Sequence, residues 1–182
     1  MQMKGTLMNI RELTENEITL ELFKDFRRHQ KVEKSMRKID GEWIAVDTVF
    51  VDDWGAAEYE ELVRCLKNTV HTGGVVYAAF EGVRLLGFSS VESGFFGSEK
   101  QYLELSSMHV SEEMRGKGIG KRLFYCASEW AKNHGARKLY ISSQSSVETQ
   151  GFYRSVGCRE AEEYSAIHVE KEPCDCQLEA DV

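Results

Sequence analysis

The residue pattern predicts an α+β protein: one mixed, mostly antiparallel sheet flanked by helices. Three observations carry this. Helix-periodic stretches fill the first part of the chain. Two apolar runs then flank a tight turn, as in a hairpin. After them a strand, a glycine-rich turn, a long amphipathic helix and another strand follow in order. The chain has 182 residues, with 42% hydrophobic and 29% charged side chains. That size suits one domain with a single proper core.

In order, the patterned chain begins at Met8-Asn9-Ile10-Arg11. Residues 1–7 therefore read as a dispensable extension and 8–182 as the domain. Thr14 before Glu15 and Glu17 is a helix-start signal, and Ile18, Leu22, Phe23 and Phe26 follow at helical spacing. Val32, Met36 and Ile39 predict a second, shorter helix, and Trp43 to Trp54 a loop or short strand. Tyr59, Leu62, Val63, Leu66 and Val70 mark an amphipathic helix ended by Gly73-Gly74. Val75 to Phe80 and Val83 to Val91 form the hairpin around Glu81-Gly82. Tyr102 to Val110 is the next strand. Ile119, Leu123, Ala127, Trp130 and Ala131 stripe the long helix, and Lys138 to Ser142 is a strand. Gly151 to Val156 reads as a short helix. Cys158 to Val169 and Cys174 to Val182 read as a final hairpin, with Pro173 between its arms.

Composition excludes several classes. The net charge of −7 argues against a nucleic-acid partner recruited by overall charge. No run approaches the roughly 20 apolar residues of a membrane span, and Met1 to Asn9 lacks a signal-type apolar stretch. The five cysteines, an odd number without a secretory signal, read as reduced and the protein as cytoplasmic. Cys174 and Cys176 lack a second pair at zinc spacing, and the histidines form no ligand pair, so no metal is expected.

The strongest chemical signal is Arg115-Gly116-Lys117-Gly118-Ile119-Gly120-Lys121-Arg122, between a strand and a helix. The first amides of a helix have no intrahelical partner and carry the positive end of its dipole. Glycines at 116, 118 and 120 would let an anion approach the backbone. Four cationic side chains and no anionic one occupy this segment. A phosphate or pyrophosphate is the expected ligand. The spacing matches neither a Walker loop nor a dinucleotide fingerprint.

With Arg115, Gly118 and Gly120 as Arg-x-x-Gly-x-Gly, the segment resembles the acetyl-CoA loop of the GNAT N-acetyltransferase superfamily. Gly151-Phe152-Tyr153-Arg154-Ser155-Val156-Gly157-Cys158 is similar to the family's second signature, with Cys158 in place of the usual Phe. The resemblance covers nearly the whole chain from Met8 and implies the GNAT acyl-CoA fold.

What the resemblance implies is specific. Acetyl-CoA would be the co-substrate. Amides from Met114, Arg115, Gly116, Lys117, Gly118, Ile119, Gly120 and Lys121 would hold its pyrophosphate, with Arg115 and Lys117 near the phosphates. The backbone of Met108, His109 and Val110 would pair with pantetheine. Ser146 stands where relatives carry an Asn that contacts the cofactor. Tyr153 matches the general acid toward the CoA thiolate; its other reading is a core anchor. Strand alternation puts Glu104, Ser106, Met108 and Val110 on one face and His109 on the other. Glu104 is a candidate general base, because an alkylamine with pKa near 10 is mostly protonated at neutral pH. Its other readings are an exposed strand residue or an ion pair with an arginine.

Eight acids lie between Asp40 and Glu61 without a Lys or Arg. They read either as a solvated acidic stretch or as a recruiter of a cationic acceptor. Trp43 and Trp54 are candidate walls for such an acceptor. The expected function is direct acetyl transfer to a primary amine of a small polycationic molecule: a polyamine, an aminoglycoside or a streptothricin-like compound. The alternatives are acetylation of a protein N-terminus or lysine, and a non-catalytic CoA-binding module. No Cys stands at a nucleophile motif, so no acetyl-enzyme is expected. Strand exchange through the C-terminal hairpin would give a homodimer.

Overall fold

The computed structural model describes residues 8–182; the extension read at 1–7 lies outside them. Nine strands and four α-helices follow in the order β1 (Asn9–Glu12), β2 (His29–Ile39), β3 (Glu42–Asp53), α1 (Ala56–His71), β4 (Val75–Glu81), β5 (Arg84–Val91), β6 (Tyr102–Val110), α2 (Ile119–Asn133), β7 (Lys138–Ser143), α3 (Val147–Ser155), β8 (Arg159–Glu160), α4 (Ala166–Lys171) and β9 (Cys176–Asp181). The main sheet runs β1-β4-β5-β6-β7-β9-β8, and β2 with β3 forms a separate two-stranded ribbon. Among the described residues, only β6 and β7 pair parallel and the other strand pairs are antiparallel.

Both faces are covered. Leu62 and Leu66 of α1 pack with Ile18, Phe23 and Phe26 onto Val76, Ala78 and Phe88. On the other face, Phe124, Ala127 and Ala131 of α2 pack on Leu103, Leu105, Leu139 and Ile141. Gly87 on β5 makes the second contact close: a Cβ there would stand 3.0 Å from Leu123. No helix among the described residues is long and apolar enough to cross a membrane.

Four expectations are corrected. The stretch from Thr14 to Phe26 folds as two 3₁₀ turns, Glu15–Glu17 and Leu20–Phe23, rather than one helix. Its apolar residues still serve as core anchors. The expected helix over 32–39 is β2, and Trp43 to Trp54 is most of β3. The final hairpin is β8 and β9 with α4 between them. The helix expected at 151–156 begins earlier, at Val147.

Candidate active site

The sheet opens at its centre. Parallel pairing of β6 with β7 covers only Tyr102, Leu103 and Glu104 against Lys138, Leu139 and Tyr140. Beyond Glu104, β6 continues to pair with β5 and β7 with β9. The facing edges of 105–110 and 141–143 therefore part in a V. Each unpaired backbone group there needs a partner from outside the sheet.

A cleft of about 760 Å³ fills this gap. Leu105 to Val110 and Ile141 to Gln144 form its walls, and Met114, Arg115, Gly116, Gly118, Ile119, Gly120 and Lys121 form one end. Gly116 and Gly118 have φ of +75° and +78°, which only glycine adopts without strain. Gly118 is the N-cap of α2, so the free amides of the first helical turn face the cleft end. A Cβ added at either glycine would meet nothing within 4 Å. The glycine backbone and the free helix amides thus leave an open concavity at this end of the cleft, of a chemistry that suits an anion. Lys117 does not line the cleft; its ammonium turns to the Met114 sulfur at 3.5 Å. Gly120 has a different reason: a Cβ there would lie 3.2 Å from Phe152 of α3.

Ser146 is corrected. It is fully buried as the N-cap of α3, accepts from the Thr149 amide at 3.2 Å and from Gln30 Nε2 at 3.1 Å, and does not line the cleft.

Tyr153 lines the cleft and is 7% exposed. Burial raises its phenol pKa, with the Cys158 and Asp175 charges adding to the effect, so the proton stays on oxygen well above neutral pH.

The expected alternation along β6 fails. The β5–β6 register shifts between Ser90 and Val91, opposite Leu105 to Ser107. The bulge places Leu105 and Met108 against the same α2-side core, so Glu104 and Met108 do not share a face. His109 lies on the α1 side, 4.7 Å from the Trp54 ring and 5.4 Å from Phe88. Its pKa is pushed down to about 3 by burial and by the cations Arg28 and Arg115, so it is neutral.

Glu104 stands at the apex of the V but outside the cleft lining. Its carboxylate pairs with His168 Nε2 of α4 at 2.8 Å, not with an arginine. That hydrogen bond raises the His168 pKa against the opposing effect of burial.

The acidic stretch does not assemble at the cleft. None of its acids lines it. Asp52 pairs with Arg28 at 2.6 Å, Glu58 caps the α1 amide of Gly55, and Glu61 pairs with Arg64. Trp43 bonds Glu160 at 3.0 Å, away from the cleft, while Trp54 stands behind Arg28 and His109. The lining instead holds Arg28, Lys31, Arg115 and Lys121 against Glu112 and Glu148.

Sequence reading missed Arg28 and Gln144. The guanidinium of Arg28 lies over Trp54, and its Nη2 reaches Asp52 Oδ2, which Gln144 Nε2 also contacts at 2.8 Å. The position of Gln144, just past the C-terminal end of a central strand, was the available signal. Arg28 gave none, because its neighbours come from distant segments.

The Acetyltransferase (GNAT) family profile matches residues 41–158. The chain belongs to that family. Its fold and sequence family are those of acetyl-CoA-dependent N-acetyltransferases. One relative, the uncharacterized N-acetyltransferase YobR of Bacillus subtilis (strain 168), is 39% identical over 61 residues. That match spans 34% of this chain and about a fifth (22%) of the relative's length. Among solved GNAT-fold structures, one described as a streptothricin acetyltransferase from Bacillus anthracis str. Ames, in complex with acetyl coenzyme A, superposes with TM-score 0.75 at 19% identity, covering 97% of this chain and 99% of that one. A nourseothricin acetyltransferase superposes with TM-score 0.70 at 15% identity, covering 96% and 98%.

Proposed function

We propose that this GNAT protein moves the acetyl group of acetyl-CoA directly to a primary amine of a small molecule with several amines, of the streptothricin-like kind. The observation that carries the transfer chemistry is the V between β6 and β7, which ends at an anion cradle and is lined by a protonated tyrosine. The small-molecule acceptor is supported by the two structural neighbours, one named for nourseothricin and one for streptothricin. Acid recruitment does not support it, since none of the acids of 40–61 lines the cleft.

In this reading the amides of the α2 N-terminus and the cations Arg115 and Lys121 hold the pyrophosphate. Unpaired β6 amides between 105 and 110 pair with the pantetheine arm and polarise the thioester carbonyl. The amine attacks that carbon, the C–N bond forms, and the C–S bond breaks. Tyr153 gives its proton to the departing sulfur. Glu104, at the apex of the V and held by His168, is the candidate acceptor of the amine proton.

Thiol release from acetyl-CoA over a panel of small amines and peptides tests the reading. Small polyamines and streptothricin should release thiol. Acceptance of peptides alone sinks the small-molecule acceptor, and no release with any amine sinks the activity. Tyr153→Phe should lower kcat by about 10²–10⁴-fold and leave CoA affinity unchanged in calorimetry. Equal loss of CoA affinity would make Tyr153 a core anchor instead.

A further inference from the structure

A buried polar cluster closes one side of the cleft, and the transfer chemistry above does not use it. Arg28 is 7% exposed. Its backbone is fixed on both sides: its N–H donates to Tyr59 Oη at 3.2 Å and its carbonyl accepts from Trp54 N at 3.0 Å. The Trp54 ring covers one face of the guanidinium, and Asp52 Oδ2 takes Nη2 at 2.6 Å. The same carboxylate oxygen accepts from Gln144 Nε2 at 2.8 Å, which fixes the orientation of that amide. Three atoms of the pair then remain buried without a partner among the described residues: Arg28 Nε, Arg28 Nη1 and Gln144 Oε1. Both residues line the cleft.

Buried polar atoms are normally paired, so these three call for a partner of matching chemistry. The chemistry of the three atoms narrows it. Arg28 offers two donors and needs an oxygen acceptor. Gln144 Oε1 is an acceptor and needs an N–H. Asp52 already balances the Arg28 charge, so a neutral ligand suffices. A phosphate would satisfy Arg28 but set its oxygens against Gln144 Oε1. An ammonium would satisfy Gln144 but face the guanidinium. An amide supplies one carbonyl oxygen and one N–H in a single planar group.

We propose that Arg28 and Gln144 together hold an amide of a bound substrate, with the carbonyl on Arg28 and the N–H on Gln144. The inference rests on the reading that this cleft holds acetyl-CoA and an amine. Two substrates supply amides: the pantetheine arm of the donor, and an acceptor whose amine lies near an amide.

Arg28→Lys tests this, because lysine keeps the charge opposite Asp52 and removes the planar fork. Gln144→Leu is the second variant, and thermal unfolding checks that each is folded. Calorimetry compares CoA with adenosine 3′,5′-bisphosphate, which lacks pantetheine. Thiol release compares β-alaninamide with its matched ester and amino alcohol. If pantetheine is the source, both variants lose about tenfold in CoA affinity and nothing toward the bisphosphate. If the acceptor is the source, CoA affinity stays and the preference for β-alaninamide over ester and alcohol falls about tenfold. Equal losses toward CoA and bisphosphate indicate a phosphate contact and overturn the proposal. So does an unchanged response of both variants to every probe. Failure of wild-type thiol release with all amines refutes the transferase reading, whereas the CoA and bisphosphate comparison still judges the amide site.

Discussion

Gly116, Gly118 and Gly120 are evenly spaced in the sequence, yet the backbone gives them separate tasks. The first two hold positive φ in open space, and the third makes room for Phe152. Gly118→Ala should cost about 1–2 kcal/mol of stability from the left-handed backbone and weaken CoA binding, both read by calorimetry. Gly120→Val should leave the cradle's dihedrals alone but push Phe152 aside, costing about 1–3 kcal/mol in denaturant unfolding. Two histidines differ as sharply. His109, with its pKa near 3, stays neutral through the working range. His168 titrates above the ordinary imidazole value because the Glu104 carboxylate accepts a hydrogen bond from its ring and favours the protonated form. Its raised folded pKa means the pair adds stability below the unfolded imidazole pKa, and this is lost as pH rises through the folded value. In Glu104→Gln the NMR titration of His168 should move down, while His109 stays silent between about pH 5 and 8. If thiol release in that variant keeps its rate and pH profile, Glu104 is a partner for His168 and not the base.

At the scale of elements, β2 shows why a strand can read as a helix. Its inward residues include Val32, Ser35 and Met36. The register shift between Val32 and Lys34 sets Glu33 opposite Thr48 and Val49, so the extra residue lies in β3, while the two buried residues of β2, Val32 and Ser35, stand three apart. That spacing imitates a helical turn. The decisive local signal was Asp40-Gly41, where both residues have positive φ (51° and 84°), as a two-residue hairpin turn requires. The β4–β5 hairpin was legible because Val75–Phe80 is apolar without interruption, its partner carries Leu85, Leu86 and Phe88, and Gly82 punctuates them. Helices α1 and α2 were legible because each carries one unbroken apolar stripe. The glycine-rich end of the cleft was legible for a related reason: all its residues lie in one contiguous segment. Arg28, Asp52, Gln144 and the Glu104–His168 pair were not, since each joins segments far apart in the chain.

At the scale of the whole molecule, β9 supplies a charge to the core. Glu179 is fully buried, yet accepts from Tyr102 Oη at 2.6 Å, Lys138 Nζ at 2.8 Å and the Glu162 amide at 3.3 Å, and pairs with Arg159 at 2.7 Å. Burial alone would raise its pKa, but the hydrogen bonds from Lys138, Tyr102 and the Glu162 amide outweigh that and hold it below the ordinary value. Glu179→Gln should therefore cost about 1.5–3 kcal/mol at neutral pH, since it removes the charge that Lys138 and Arg159 share, while Lys138 keeps Glu162 at 2.9 Å and Arg159 keeps Asp181 at 2.8 Å. Because the folded pKa is depressed, the contribution is present above the unfolded value and lost as pH falls through the folded one. The difference in unfolding midpoint between wild type and variant should shrink below the ordinary glutamate range.

The V between β6 and β7 bears on more than substrate access. Strands β1, β4, β5 and β6 make one leaf and β7, β9 and β8 another. Three residue pairs form the spine between them, with α2 lying across both. A chain-like ligand seated in the V would bind the leaves like a page sewn into a book. A ligand at a hundred times its Kd adds about 2.7 kcal/mol to the folded state, a large share of what holds a domain together. The melting temperature of this protein would then report the concentration of its own donor, and its survival against proteases would rise and fall with that supply.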